Sequence, residues 1–216
     1  MRALPEFAFA HSSLHMLHML GTNHIERGVN TMALKGISKI YQLKITLIGS
    51  KPPIWRRVLV RSDIGLPKFH SVLQAVMGWQ DCHMHAFRAG QEYYGEPGED
   101  MDYMKNETKV QLDRLFHKEK DSLIYEYDFG DGWEHKVLLE KILPFDESMK
   151  TPTCIKGKLA CPPEDCGGIY GYYDLLETLA DPKHPDREEM LEWLGGEFDP
   201  EEFSMDEVNH LLSGFK

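Results

Sequence analysis

Cysteine and long hydrophobic runs are both scarce in this 216-residue sequence. No apolar stretch reaches the roughly 20 residues that a transmembrane helix needs, so a membrane partner is not expected. The chain has four cysteines, which are Cys82, Cys154, Cys161 and Cys166. They form no close Cys-x-x-Cys pair, and with no membrane span they predict free thiols or a metal site in a reducing cytoplasm.

Several enzyme signatures are also missing. The sequence contains no glycine-rich phosphate loop, no dinucleotide-binding fingerprint and no serine nucleophile elbow. These absences remove the reaction classes that depend on such motifs from the prediction. The remaining candidates for chemistry are histidines, carboxylates and thiols.

Basic residues are fewer than acidic ones, so the formal net charge is −11 and the isoelectric point is about 5.4. This balance favours a soluble protein and disfavours general attraction to nucleic acid. The charge is uneven, because residues 181–207 carry eleven acidic and two basic residues, whereas Lys51–Lys68 carries five basic and one acidic residue. In the basic segment, Arg56, Arg57 and Arg61 follow Trp55 and are candidates for gripping phosphate. The alternative is a solvated strand face.

Residues 1–39 show weak periodicity and only broken apolar stretches. The apolar run Leu14–Leu20 is interrupted by histidines and lacks a small-residue cleavage site, which argues against a signal peptide. We predict a disordered N-terminal extension or a translation-start artefact, with Met32 as the alternative start. A histidine-rich metal-binding tail is the competing interpretation. A single domain is expected at residues 40–216.

The first half of this domain is predicted to be mainly an antiparallel sheet with one helix. Apolar and polar residues alternate in Tyr41–Ile48 and Ile54–Arg61, which indicates two paired strands. The region Leu66–Trp79 has helical spacing, with Pro67 suited to its first turn. Further strands are expected in His83–Gly90 and around the turn near residue 131.

The second half is predicted to be loop-rich and then helical. Proline and glycine are frequent between residues 151 and 168, which favours irregular backbone. Three helices are expected at Tyr172–Leu179, Arg187–Leu194 and Met205–Leu212, the last opening with a capping box at Ser204. The fold class is therefore α+β.

One hairpin supplies the main candidate for catalysis. If Asp131-Gly132 forms a two-residue loop, antiparallel register places Asp128 directly opposite His135 on one face. A carboxylate beside an imidazole can orient a proton carrier or bind a metal, and it can also simply satisfy a polar strand end. For Asp131, the preference of turns for Asp-Gly is sufficient explanation.

A metal site is the second hypothesis. His83 and His85 alternate along a predicted strand, so their imidazoles would share a face and, with His135, provide ligands for a divalent ion such as zinc. Asp128 would then orient an imidazole or activate water. A structural role for these polar residues is the alternative.

The cysteines of the loop-rich segment offer a weaker zinc candidate. Cys154, Cys161 and Cys166 provide three thiols, and a histidine would complete the site. Their spacing does not match a zinc ribbon, so isolated thiols are the competing prediction.

Several motifs resemble one known family. They are Pro53-Ile-Trp-Arg-Arg-Val, Leu73-Gln-Ala-Val-Met-Gly-Trp79, His83-Met-His-Ala-Phe87, Tyr125-Glu-Tyr-Asp-Phe-Gly-Asp-Gly-Trp-Glu-His135, Cys161-Pro-Pro-Glu-Asp-Cys-Gly-Gly168 and Phe198-Asp-Pro-Glu201. In this order they resemble the plasmid pRiA4b ORF-3-like family, from about Tyr41 to Leu212. The resemblance implies an α+β domain of bacteria and archaea, associated in some cases with mobile elements, and no settled activity, cofactor or ligand.

The family motifs also draw attention to His70, Trp79, Asp131 and Trp133 as further site positions. Three functions remain open on these grounds. The first is a cytoplasmic binding or accessory domain with an unknown partner. The second is a metal-dependent, hydrolase-like enzyme that uses the His/Asp cluster, and the third is a nucleic-acid-binding protein.

Overall fold

The computed structural model describes residues 38–98 and 101–215. These residues belong to one compact unit, Gly36–Lys216. The predicted N-terminal extension at 1–39 and the alternative start at Met32 lie outside the described residues, except for Ser38 and Lys39, the second of which begins the first strand.

An eight-stranded sheet forms the centre of the domain. Its strands are β1 (Lys39–Leu47), β2 (Trp55–Arg61), β3 (His85–Ala89), β4 (Glu92–Gly95), β5 (Met104–Asn106), β6 (Ser122–Tyr127), β7 (Trp133–Pro144) and β8 (Thr153–Lys158). Their spatial order is β5-β4-β3-β6-β7-β1-β2-β8. All neighbours pair antiparallel except β4 and β5, which pair parallel.

The single early helix, α1 (Leu66–Met77), covers one face of the sheet. It begins after Gly65 with Pro67 in its first turn and ends at Gly78, whose left-handed backbone places its N–H on the carbonyl of Gln74. Its apolar side chains and the inward residues of the strands form one continuous core. Each fully buried Leu, Val or Phe in such a core stabilises the fold by about 2 kcal/mol relative to exposure.

Three helices follow the sheet, as the sequence predicts. They are α2 (Gly168–Ala180), α3 (Arg187–Leu194) and α4 (Met205–Leu212). The side chain of Ser204 accepts a hydrogen bond from the N–H of Glu207, which confirms the predicted cap of α4. The α+β class is thus confirmed. Among the described residues, no helix is both long and apolar enough to cross a membrane.

Candidate metal site and histidine cleft

The hairpin between β6 and β7 differs from the prediction. Tyr127 pairs with Trp133 and Tyr125 pairs with His135, so the connecting loop comprises residues 128–132. Asp128 therefore lies in the loop and does not face His135. The expected pairing of these two side chains across the hairpin is wrong.

The side chain of Asp128 explains the longer loop. Its Oδ1 accepts a hydrogen bond from the N–H of Gly130 at 2.9 Å, and Asp128 itself adopts a left-handed backbone with a φ of 54°. Its carbonyl accepts a bond of 2.6 Å from the N–H of Gly132. An aspartate that satisfies loop N–H groups in this way ends the strand earlier than the Asp-Gly pair alone predicts.

The same loop lies against the start of α2. Asp131 accepts a hydrogen bond from the N–H of Gly167 at 3.1 Å. At Gly168, a Cβ atom would overlap the backbone carbonyl oxygen of Asp131. Asp131 is therefore a turn residue that also joins the hairpin to the segment before α2.

This junction brings together three ligand-type side chains. The Nε2 atom of His83 lies 3.0 Å from Oδ1 of Asp165 and 3.7 Å from Oδ2 of Asp128. One ligand atom from each residue lies within 4.8 Å of the others. In residues 38–98 and 101–215, no other three histidine, cysteine or carboxylate side chains bring their ligand atoms this close together.

The imidazole of His83 has an unusual environment. Its Nε2 atom is buried and makes no hydrogen bond of acceptable geometry, although two carboxylates are near. A buried polar atom without a partner is costly, and one that lies beside two carboxylates is in a position where a ligand can complete the set. Imidazole nitrogen and carboxylate oxygen are both ligands of divalent transition metals, so the residues fit an ion.

Neighbouring residues hold Asp165 in place within the trio. The hydroxyl of Tyr127 donates a hydrogen bond to Glu164, whose other oxygen accepts from the N–H of Gln80 at 2.9 Å. Burial and the contact with Glu164 raise the pKa of Tyr127, so the phenol stays protonated. The segment preceding α2 is thereby anchored to β6.

His85 lies at the start of β3 and points to a different partner. Its Nε2 atom is 3.1 Å from Glu107, whereas His83 precedes the strand and faces Asp165. The two imidazoles predicted to share one strand face therefore do not converge on one point.

A stacked pair of imidazoles lies beside the trio. The rings of His70 and His85 are 3.5 Å apart and almost parallel, with an interplanar angle of 5°. His70 contacts the hydroxyl of Tyr125 through Nδ1 at 2.8 Å and Asp81 through Nε2 at 2.7 Å. Burial and the neighbouring imidazole lower the pKa of His70, although Asp81 opposes this shift.

These side chains line a cleft of about 490 Å³. Its walls include His70, Asp81, His83, Met84, His85 and Phe129. The cleft gives a small molecule access to the imidazole pair and to His83. A concave site with convergent polar groups of this kind is where ligand binding is expected.

His135 belongs to the core and lies apart from the trio. It is fully buried, its Nδ1 atom contacts the carbonyl of Trp133, and its Nε2 atom has no hydrogen-bond partner. Desolvation lowers the pKa of His135 to about 4. Trp79 packs edge-on against His135 and donates a hydrogen bond to the carbonyl of Pro162. These aromatic positions are structural in character.

The three thiols proposed for zinc do not form a site with a further ligand in the described part of the chain. Cys154 is buried, and its N–H donates to Asn209. Burial raises the pKa of Cys161 to about 11. Burial and the charges of Asp131 and Asp165 raise the pKa of Cys166 to about 12, so both thiols are protonated at neutral pH.

The three arginines of the basic segment are all engaged within the protein. Arg56 is buried and donates to the carbonyls of Val76 and Lys158. Arg57 forms a two-pronged ion pair with Glu140 at 2.5 and 2.8 Å.

The third arginine follows the same pattern. Arg61 binds both carboxylate oxygens of Asp63 at 2.9 and 2.7 Å. These carboxylates neutralise two of the three charges, and burial removes the third from the surface.

Two carboxylates that contact the histidines were not predicted as site residues. Asp165 occurs in the motif Cys161–Gly168, which is one of the motifs that carry the family resemblance. Membership of this motif was the sequence feature that could have identified Asp165 as a site residue. Glu107 follows β5 and carries no local motif. Both reach the histidines only through contacts between distant parts of the chain, so spacing along the sequence does not reveal them.

Comparison with known proteins places this domain in a family. The sequence model of the plasmid pRiA4b ORF-3-like protein family matches residues 39–207. The uncharacterised protein y4hQ of Sinorhizobium fredii is 38% identical over 161 residues, which cover 74% of this chain and 82% of that protein.

A solved structure is also similar. The crystal structure of the protein of unknown function MM3350 from Methanosarcina mazei Go1 shares 39% sequence identity and a TM-score of 0.73, covering 80% of this chain and 99% of that one. The motifs, the family match and the shared fold agree. The chain belongs to the plasmid pRiA4b ORF-3-like protein family.

Proposed function

We propose that this protein binds a divalent transition metal ion through His83, Asp128 and Asp165 and acts as a metal-dependent hydrolase in the adjoining cleft. The observation that carries the proposal is the buried Nε2 atom of His83, which lacks a hydrogen-bond partner while two carboxylates lie within 4 Å of it. An ion between these groups would satisfy all three.

The number of ligands supports a catalytic site over a purely structural one. Structural zinc sites use four protein ligands, whereas catalytic sites use three and keep a position for water or substrate. Asp128 is nearly buried and fixed by its loop, while the side chain of Asp165 is 65% exposed. The exposed side of the trio is therefore the side from which water and substrate can enter.

The stacked imidazoles have a different role in this proposal. The Nε2 atom of His85 contacts Glu107, and both ring nitrogens of His70 have partners in Asp81 and Tyr125. Neither ring belongs to the trio around His83. Both line the cleft and can hold or move a proton next to a bound substrate. A bound metal would supply a more acidic water for hydrolysis.

The cellular setting belongs to the same proposal. All four cysteines are free thiols. Structural thiols of this kind persist in a reducing compartment, which supports a cytoplasmic protein. The mobile-element association is carried over from the family resemblance alone.

Replacement of His83 by alanine is expected to remove one high-affinity zinc site from the full-length protein. Isothermal titration of chelator-treated protein with Zn²⁺ measures this change as a loss of one equivalent, or as an affinity at least 100-fold lower. The physical reason is that two carboxylates alone bind zinc far more weakly than a site with an imidazole.

The matched control is His117→Ala. His117 is exposed and lies outside the cleft, so this variant also lacks one imidazole but keeps the trio. Histidines in residues 1–35 remain in both variants, and their binding therefore cancels in the comparison. Equal zinc stoichiometry and affinity in the wild type and in both variants would contradict the metal site.

Hydrolysis is tested separately with bis(p-nitrophenyl) phosphate and p-nitrophenyl acetate as probes. Metal-loaded wild-type protein should release p-nitrophenol from one of them, and His83→Ala should not. Zinc binding without any turnover would retain the metal site and reject the hydrolase.

A further inference from the structure

The outer face of the sheet, opposite α1, carries a cluster of basic residues around one tryptophan. Strand pairing places Lys156, Arg57 and Lys44 side by side on β8, β2 and β1. The adjacent row contains Lys158 next to Trp55. We call these residues, together with Lys136 of β7, the basic sheet face.

Pairing across the sheet establishes that Lys136 belongs to the same surface. Thr46 pairs with Trp55 on one side and with Lys136 on the other. Directly opposed residues in antiparallel strands point to the same face. The side chains of Lys136, Lys156 and Lys158 are exposed, and those of Lys44 and Trp55 are half-buried.

The helices α1 and α4 pack on the opposite face. Arg56 points to that side, where it donates to the carbonyl of Val76 in α1 and lies 4.3 Å from the ring of Phe203, just before α4. Asn209 of α4 binds the backbone of Cys154 on the same side. The residues that alternate with Arg56 therefore face away from both helices.

The positive charge on this surface is largely unpaired. Among the described residues, the ammonium groups of Lys44, Lys136, Lys156 and Lys158 make no ion pair within 4.0 Å. Arg57 is neutralised by Glu140. Four free cations on one face are notable in a chain whose net charge is −11.

Trp55 lies at the centre of these charges. Its ring has Lys44 Nζ at 5.0 Å from its centroid and the guanidinium carbon of Arg57 at 5.2 Å. An aromatic ring flanked by cations suits a ligand that presents bases and phosphates together. Bases stack on an aromatic side chain, and lysines attract the phosphates.

We propose that the basic sheet face binds single-stranded nucleic acid, with Trp55 as the stacking platform and the four lysines as phosphate contacts. Charge complementarity directs a polyanion to this face, because the acidic remainder of the protein repels it. A sheet surface suits unpaired, splayed bases, whereas reading of duplex DNA requires an element that enters a groove. This surface is separate from the proposed metal site and does not depend on it.

The expected result is measured by fluorescence anisotropy with a labelled twelve-nucleotide oligothymidylate, with EDTA present so that metal-mediated contacts are absent. Affinity should fall with salt, with a slope of log K against log salt of about −3, since each neutralised phosphate of a single strand contributes about −0.7. The double variant Lys136→Glu/Lys156→Glu should bind at least 10-fold more weakly. Trp55→Leu should weaken binding about 5-fold or more.

A charge-matched control separates this site from general electrostatics. Lys68→Glu/Lys150→Glu makes the same change in net charge at exposed lysines that are not on the basic sheet face. It should change affinity less than 3-fold, and thermal unfolding should show that all variants are folded. Equal losses in both double variants, no binding by the wild type at 50 mM salt, or tighter binding of the matching duplex would each overturn the proposal.

Discussion

Replacement of Gly168 by alanine is expected to lower the free energy of unfolding by about 4 kcal/mol. Two costs add at this position. Gly168 has a φ of 67°, which is unfavourable for a residue with a Cβ, and that Cβ would overlap the carbonyl oxygen of Asp131. Relief of the overlap requires the hairpin loop to move away from α2. Urea unfolding followed by tryptophan fluorescence measures the loss.

The proposed metal site should be affected by the same substitution. Asp128 lies in the hairpin loop and Asp165 lies three residues before the first residue of α2, Gly168, so separation of these segments moves two ligands apart. We expect zinc affinity to fall at least 10-fold in Gly168→Ala.

Gly132→Ala is the matched control. Gly132 has a similar φ of 66°, but a Cβ there would have no atom within 4 Å. It should cost only the backbone strain, about 1 to 2 kcal/mol, and leave zinc affinity unchanged. If both variants lose the same stability, the close contact between Gly168 and Asp131 is not what joins the hairpin to α2.

The second large effect is a loss of stability in mild acid. Desolvation lowers the pKa of His135 to about 4, whereas an unfolded histidine has a pKa of about 6.5. Between these values the unfolded chain binds a proton that the native protein does not. The free energy of unfolding is therefore at its full value above pH 6.5, and it falls by about 3 kcal/mol as the pH decreases to 4.

Other groups contribute in distinguishable ways. The pKa of His70 is also lowered, so it adds to the loss with the same sign. The carboxyl groups of Asp63 and Glu140 have lowered pKa values because of their arginine partners, and their contribution is lost at lower pH, mostly below about 4. The window from pH 6.5 to 4 is thus dominated by the buried histidines.

His135→Phe tests the assignment, because phenylalanine preserves an aromatic ring and does not titrate. Urea unfolding at several pH values gives the free energy of unfolding as a function of pH. The slope of this curve should be smaller in His135→Phe than in the wild type by up to about 1.4 kcal/mol per pH unit, which corresponds to one proton. The variant His117→Phe, at an exposed position, controls for the general effect of a histidine-to-phenylalanine replacement on folding. An unchanged slope in His135→Phe would show that the imidazole of His135 is not the source of the stability loss between pH 6.5 and 4.

Local sequence patterns were sufficient for the family and for most helices and strands. The exception is β8 (Thr153–Lys158), which lies in a segment predicted to be irregular because of its proline and glycine content. The bounds of α3 and α4 agree with the prediction because each helix has an end signal within a few residues of its apolar positions. Gly195 ends α3 in a left-handed conformation, and the side chain of Ser204 caps the start of α4. The alternation in β2 correctly placed Arg56 and Trp55 on opposite faces, but it did not show that Arg56, a candidate for phosphate contact, is buried.

Local patterns failed at the hairpin loop. The Asp-Gly pair predicts a two-residue turn, but the side chain of Asp128 binds the loop N–H groups and ends the ladder at Tyr127. The register then differs, and Asp128 lies near the imidazole of His83 and not opposite His135. Competition between a side chain and the backbone ladder is not visible in residue spacing.

The sequence by itself thus determined the helices, the alternating strands, the acidic balance and the membership of a family. Tertiary structure alone decided that His83 meets Asp128 and Asp165, that His70 stacks on His85, and that four unpaired lysines share the outer face of the sheet. The physical reason is the separation along the chain between the residues that interact. Helix and strand formation depend on neighbours within a few residues, whereas these groupings depend on which distant segments pack together.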